Sequence, residues 1–152
     1  MLDTETEKKL HIIYASEGGN AWDVADNVLS LATKKNIPVQ QYEMNDVSMT
    51  DLSTMQRVML ICSTTGDGEV PMTGEDFWIE LEESEITFQK LNYSVCALGD
   101  SSFADFCGAG KKIDKRLMEL GAVQVTKRCE CDRGTDGWED WAEKTILKLG
   151  YS

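Results

Sequence analysis

The chain has 152 residues, 41% of them hydrophobic and 28% charged, which suits one domain with one core rather than a disordered tail. Its 27 acidic and 15 basic residues give a formal net charge of −12, which argues against nucleic acid and anionic membrane as partners. No apolar run approaches the roughly 20 residues that a membrane helix needs.

The first stretch, Met1 to Lys9, is polar and acidic and lacks the apolar centre of a secretory signal, so the cytoplasm is the expected location. Leu10–Tyr14 (LHIIY) is the first predicted strand, with His11 expected as a solvated strand residue. Ala21, Val24, Ala25, Val28 and Ala32 then recur at helical spacing. Ile37–Tyr42 alternates, as a strand near a sheet edge does, and Arg57–Cys62 (RVMLIC) is almost continuously apolar. Phe77, Trp78 and Leu81 mark a shorter helix opened near Pro71, and the acidic patch from Glu80 to Glu85 reads as its solvated end. Tyr93–Leu98 is a second continuous apolar run. Ala109, Ile113, Leu117 and Leu120 form a helical stripe stopped by Gly121. Ala122–Thr126 alternates as a fifth strand, and a last stripe holds Trp138, Trp141, Ala142, Thr145, Ile146 and Leu149. The tryptophans on these helices read as core anchors.

Strand and helix thus alternate from end to end. Right-handed crossovers then give an α/β three-layer sandwich, with helices on both faces of a five-stranded parallel sheet in the order 2-1-3-4-5. No linker, repeat or low-complexity segment interrupts the chain, so residues 1–152 are expected to form a single domain. Ligands of such sheets bind beyond the carboxyl ends of the strands. All three central strands run there into loops rich in glycine and hydroxyl groups.

The first loop, Ser16–Asn20, leads into a helix at Ala21. Its backbone N–H groups and helix terminus suit a phosphate, although no Lys or Arg lies in it. A plain strand-to-helix turn with an Asn cap is the simpler alternative. Neither the Walker pattern nor the dinucleotide glycine fingerprint is present. The second loop, Ser63–Gly68, is followed by Glu69, Val70 and Pro71. Its two glycines allow close approach to a flat ligand, or simply a hydroxyl-rich turn. The third loop runs from Leu98 through Gly99 and Asp100 to Cys107 and carries Phe103 and Phe106. Phe106 is expected to tuck into the core, and Phe103 to stack on a flat ring.

Five cysteines, without a secretory signal, read as reduced thiols. Cys62 and Cys96 sit in apolar runs as small core residues. Cys129 and Cys131 form a C-x-C pair, half of a metal site whose second half the sequence does not supply, and no metal is expected.

The three loops, Tyr14–Ala21 (YASEGGNA), Ser63–Pro71 (STTGDGEVP) and Leu98–Gly110 (LGDSSFADFCGAG), resemble those of the flavodoxin family. The resemblance extends to the FMN domains of diflavin reductases, such as the sulfite reductase flavoprotein, and to small stand-alone flavodoxins. It spans roughly residues 10 to 150. It implies that Ser16, Glu17, Gly18, Gly19, Asn20 and Ala21 cradle the phosphate of FMN. Ser63, Thr64, Thr65, Gly66, Asp67 and Gly68 would line one side of the flavin. Leu98, Gly99, Asp100, Phe103, Phe106 and Cys107 would line the other, with Asp132 nearby. Gly18 stands where the family usually has threonine, and the loss of one hydroxyl donor is expected to loosen FMN, by about 1.5–3 kcal/mol at most. Phe103 stands for the usual stacking tyrosine, and Thr65 where some relatives carry a second aromatic. In the family a peptide at the second loop flips as the flavin takes one electron, and Gly66 with Asp67 matches that position.

The function so implied is that of an electron carrier, not a catalyst. It would be a monomer that shuttles low-potential electrons between a basic-surfaced reductase and acceptor proteins. Two alternatives stay open: an FMN domain excised from a larger reductase, and a flavodoxin-like binding module without FMN. Colour separates the last, since a flavin protein is yellow and releases FMN on denaturation.

Overall fold

The computed structural model describes residues 8–151. The polar N-terminal stretch read above as lacking a signal lies for the most part outside the described residues. Among the described residues there are six strands: β1 (Leu10–Ala15), β2 (Val39–Glu43), β3 (Arg57–Cys62), β4 (Asn92–Gly99), β5 (Val123–Gln124) and β6 (Cys129–Asp132). Five α-helices accompany them: α1 (Asn20–Lys34), α2 (Met49–Ser53), α3 (Met72–Glu82), α4 (Gly108–Glu119) and α5 (Trp138–Lys148). The sheet is parallel in the order β2-β1-β3-β4-β5, as expected, with β6 added beside β4.

The near-continuous apolar strands β1, β3 and β4 occupy the centre because both of their faces are covered. Phe77, Leu81, Ala109, Ile113 and Leu117 bring α3 and α4 onto one face. Val24, Val28, Trp141 and Ile146 bring α1 and α5 onto the other. The predicted helices lie within a residue or two of their expected bounds. The short helix α2, which no apolar stripe announced, is held by a reciprocal cap between Ser48 and Asp51.

Three expectations are corrected. The predicted fifth strand, Ala122–Thr126, shortens to β5, which pairs with the amino end of β4, and an unpredicted sixth strand, β6, pairs with the carboxyl half of β4 from Cys96 to Gly99. His11 is not solvated. It is 8% exposed, its Nδ1 lies 2.8 Å from the Tyr42 hydroxyl, and burial followed by the charge of Lys9 lowers its pKa to about 4. Trp22 is half exposed on α1 and anchors nothing, whereas Trp141 is buried and donates to Ser94 Oγ at 2.8 Å.

The β4–β6 edge holds a buried polar cluster. Asp114, fully buried on α4, accepts from the Tyr93 hydroxyl at 2.5 Å, Gln124 Nε2 at 2.8 Å and an Arg128 guanidinium nitrogen at 2.6 Å. Burial of the phenol, then its bond to Asp114, pushes the Tyr93 pKa up. A buried carboxylate is tolerated only when paired and hydrogen-bonded, and the three partners come from β4, β5 and the segment before β6. The cluster therefore ties α4 to the strand pair that ends at the loops described next.

Candidate functional site

The carboxyl ends of β1, β3, β4 and β6 open onto one cavity of about 360 Å³. It is within the usual range of a small-molecule site. Nine of the residues singled out from the sequence line it: Glu17, Asn20, Ser63, Thr64, Gly66, Leu98, Gly99, Asp100 and Phe103. Asp105, Arg133 and Gly134 line it too, and sequence reasoning did not select them. A neighbouring hollow is lined by Ser16 and Gly19 together with Tyr14, Trp22, Glu43 and Thr73.

The remaining singled-out residues lie outside these two linings. Ala21 and Cys107 are fully buried. Cys107 packs under the third loop, its Sγ donating to the Ala97 carbonyl at 3.3 Å, and burial pushes its thiol up to about 12. Phe106 is half buried against the core, while Phe103 stands 61% exposed at the mouth. Thr65, Asp67 and Gly68 belong to the second loop without facing the cavity. Gly18 is exposed in the first loop, and Asp132 lies at the end of β6.

The first loop ends in two consecutive residues with left-handed backbone, Gly18 at φ 78° and Gly19 at φ 95°. Gly19 caps α1 without a side-chain bond, so the first-turn N–H groups are left for a ligand. The Ser16 backbone is tied to the Thr73 hydroxyl, which receives its N–H at 3.2 Å. The Ser16 and Thr64 hydroxyls are buried and have no hydrogen-bond partner. Two such hydroxyls, in the loops after the paired strands β1 and β3, are suited to the oxygens of a phosphate.

The second loop is a tight reversal. The Thr65 N–H donates to the Glu69 carbonyl at 2.8 Å, and the N–H groups of Gly68 and Glu69 donate back to the Thr65 carbonyl. Gly66 sits at its tip with φ 48°. A Cβ at Gly68 would lie 2.6 Å from that of Asp105, so the second and third loops touch there.

The third loop is braced by carboxylates. Asp100 Oδ1 accepts from the Ser102 N–H at 2.8 Å, the Ser102 hydroxyl at 2.6 Å and Arg133 Nε at 3.0 Å. Asp132 accepts from the Ser101 N–H at 2.9 Å and the Ser101 hydroxyl at 2.6 Å. The Ser102 bonds and then Arg133 hold Asp100 below the usual carboxylate range, and the Ser101 bonds do the same for Asp132. Arg133, with left-handed φ of 60°, also donates its backbone N–H to the Gly99 carbonyl at 2.7 Å. It brings a cation to the cavity wall. The one signal that would have found it is its place just beyond a strand end, and that strand was not resolved from the sequence.

A parallel sheet in this order, with its cavity across the ends of the central strands and helices on both faces, defines a flavodoxin-like protein. The flavodoxin family model matches residues 12–144, and the chain belongs to the flavodoxin family, whose cofactor is FMN. It is 35% identical over 147 residues to the sulfite reductase [NADPH] flavoprotein alpha-component of Vibrio parahaemolyticus, covering 93% of this chain and 23% of that protein. It is 37% identical over 129 residues to NADPH-dependent diflavin oxidoreductase 1 of Yarrowia lipolytica, covering 82% of this chain and 19% of that protein. The chain thus spans less than a quarter of the length of these curated relatives. Among solved structures, the flavodoxin of Streptococcus pneumonia TIGR4 superposes with a TM-score of 0.80 at 25% identity, over 92% of this chain and 99% of that one. A cysteine-to-serine mutant of Pseudomonas aeruginosa flavodoxin gives 0.81 at 24% identity, over 93% and 98%.

Proposed function

We propose that residues 1–152 act as a single FMN-loaded domain that carries electrons one at a time between a reductase and acceptor proteins in the cytoplasm. The observation that carries this reading is the pair of buried, partnerless hydroxyls, Ser16 and Thr64, in the loops that follow the paired strands β1 and β3. They fit a phosphate where a flavin ring can continue into the main cavity. FMN supplies the electron-accepting ring, and the chain supplies position and electrostatics.

Ser16, Thr64 and the N–H groups of the first loop, Ser16–Ala21, hold the phosphate. The second loop, Ser63–Gly68, and the third, Leu98–Phe106, enclose the ring, with Phe103 closing its outer face. Cys107 supports the third loop from beneath, and Asp132 fixes that loop through Ser101. Glu17, Asp100 and Asp105 line the cavity, and their charge disfavours negative charge on the fully reduced ring, which lowers the potential of the last reduction step. Gly66, at the tip of a reversal closed only at its base, is free of the Cβ strain that would oppose a change of peptide orientation. The net charge of −12 steers the domain toward basic surfaces of its redox partners.

Stepwise reduction of the purified yellow protein, followed by its spectrum, tests the reading. Two separated one-electron steps are expected, and Gly66→Ala should shift at least one midpoint potential. A colourless protein that rejects added FMN defeats the proposal, and unchanged potentials in Gly66→Ala defeat the role of Gly66. A second reading, a domain working inside a larger reductase, is favoured by the length of the curated relatives. Electron delivery from a separate reductase, slowing as salt rises, supports the free carrier. Insensitivity to salt counts against charge-guided docking.

A further inference from the structure

The C-x-C pair on β6 gains a third sulfur in the folded chain. Residues two apart on a strand share a face, so Cys129 and Cys131 point the same way. The parallel register sets Cys96 of β4 directly beside Cys129. All three lie on the face covered by α1 and α5. Cys131 Sγ is 3.8 Å from Cys96 Sγ and 3.8 Å from Cys129 Sγ, and the three sulfurs fall within 4.8 Å of one another.

That spacing is the one a bound ion requires. With metal–sulfur bonds of about 2.3 Å, ligand sulfurs are separated by about 3.8 Å in a tetrahedral arrangement and about 4.0 Å in a trigonal one. Two of the three separations already match that spacing and the third lies within 4.8 Å, whereas a disulfide would have to draw two sulfurs in to about 2.05 Å. No histidine or carboxylate joins the cluster among the described residues. Three soft donors without a fourth match a thiophilic d10 ion that accepts low coordination, as Cu(I) does, whereas zinc would need a water as its fourth ligand.

An entry route exists. Cys96 and Cys131 are fully buried, but Cys129 is half buried and lines a hollow of about 210 Å³. Gly137 borders it, and a Cβ there would already lie 3.5 Å from Cys129 Sγ. Lys127, Arg128 and Lys144 line the same hollow together with Asp140, which pairs with Lys144 at 2.9 Å, while Arg128 is paired with Asp114 and Glu130.

We propose that Cys96, Cys129 and Cys131 form a three-sulfur site for one thiophilic d10 ion, with Cu(I) as its fitting occupant. Each thiol that ligates releases its proton to solvent, and no electron is transferred. The ion cross-links β4 to β6 immediately below the strand ends that carry Asp100 and Asp132. The site shares no ligand with the FMN cavity and does not depend on the carrier reading.

The test uses the full FMN-loaded chain, reduced and without oxygen, titrated with Cu(I) in competition with a chromogenic Cu(I) chelator. One equivalent should be retained, with a new ultraviolet sulfur-to-metal charge-transfer band and protection of Cys129 from thiol reagents. Cys96→Ala, Cys129→Ser and Cys131→Ala should each weaken retention by about 100-fold or more, since a lost ligand costs at least as much as a lost outer-shell partner. Cys62→Ala should leave it unchanged, and an intact flavin spectrum certifies each fold. Complete surrender of Cu(I) to the chelator overturns the proposal. So does a loss confined to Cys129→Ser, which marks binding to a single accessible thiol. Tighter retention of Zn(II) than of Cu(I) overturns the three-coordinate assignment.

Discussion

Asp100 and Asp132 pin the loop after β4 with four hydrogen bonds from Ser101 and Ser102, and Arg133 adds two more through its side chain and backbone. Across the cavity, the loop after β1 is tied through the Ser16 backbone to Thr73 and leaves the Ser16 hydroxyl buried without a partner. One loop satisfies its polar groups internally and is shaped before any ligand arrives. The other keeps donors in reserve and is completed by a ligand. Under the function proposed above, the difference teaches that rigidity and affinity would be assigned to different strands: the β4–β6 edge would fix the geometry of the ring site, and the β1 end would supply binding energy.

Four changes would break or sharpen this contrast. The largest effect is expected from Arg128→Met, which leaves Asp114 as a buried carboxylate without its cation. It should lower global stability by about 3 kcal/mol in urea unfolding, the lower end for a broken buried pair because Arg128 is itself a quarter exposed. Ser16→Ala should act on the other side of the contrast. Stability of the FMN-free protein should hold or rise, while FMN affinity falls by about 1.5–3 kcal/mol, read by calorimetric titration.

Asp132→Ala comes next. It removes both Ser101 bonds, so faster amide exchange is expected, localised to residues 100–106. An equal effect on the first loop would dissolve the contrast. The smallest effect is that of acid. The folded-state pKa values of Asp100 and Asp132 lie below the ordinary carboxylate value of about 3.9. Their contribution is therefore complete above that value and lost as pH falls through the lower folded values. Amide protection at Ser101 and Ser102 should fade in that window, before protection in β1 does.

Much of this was readable in the chain. β1, β3 and β4 announce themselves because burial on both faces demands unbroken apolar runs. The three loops stand out because each combines glycine and hydroxyl groups at a strand end. β6 was not readable: Cys-Glu-Cys-Asp is too short and too mixed to show a period, and its pairing with β4 supplies what its composition does not. Arg133 and Asp105 were missed for the same reason, since only folding turns them toward the cavity. Asp114 on a helix and His11 on a strand carry no sign of burial in the sequence, because the partners that make burial tolerable come from other elements.

The sequence by itself determined the alternation of elements, the parallel sheet and the three loops that meet at its carboxyl end. Periodicity and glycine placement are local, and the handedness of crossovers does the rest. Tertiary structure alone decided which loop is braced, which hydroxyls stay unpaired, and that Cys96 joins Cys129 and Cys131. Those outcomes depend on strand register and on contacts between residues far apart in the chain, for example Ser101 with Asp132 and Cys96 with Cys129, and no local pattern encodes them.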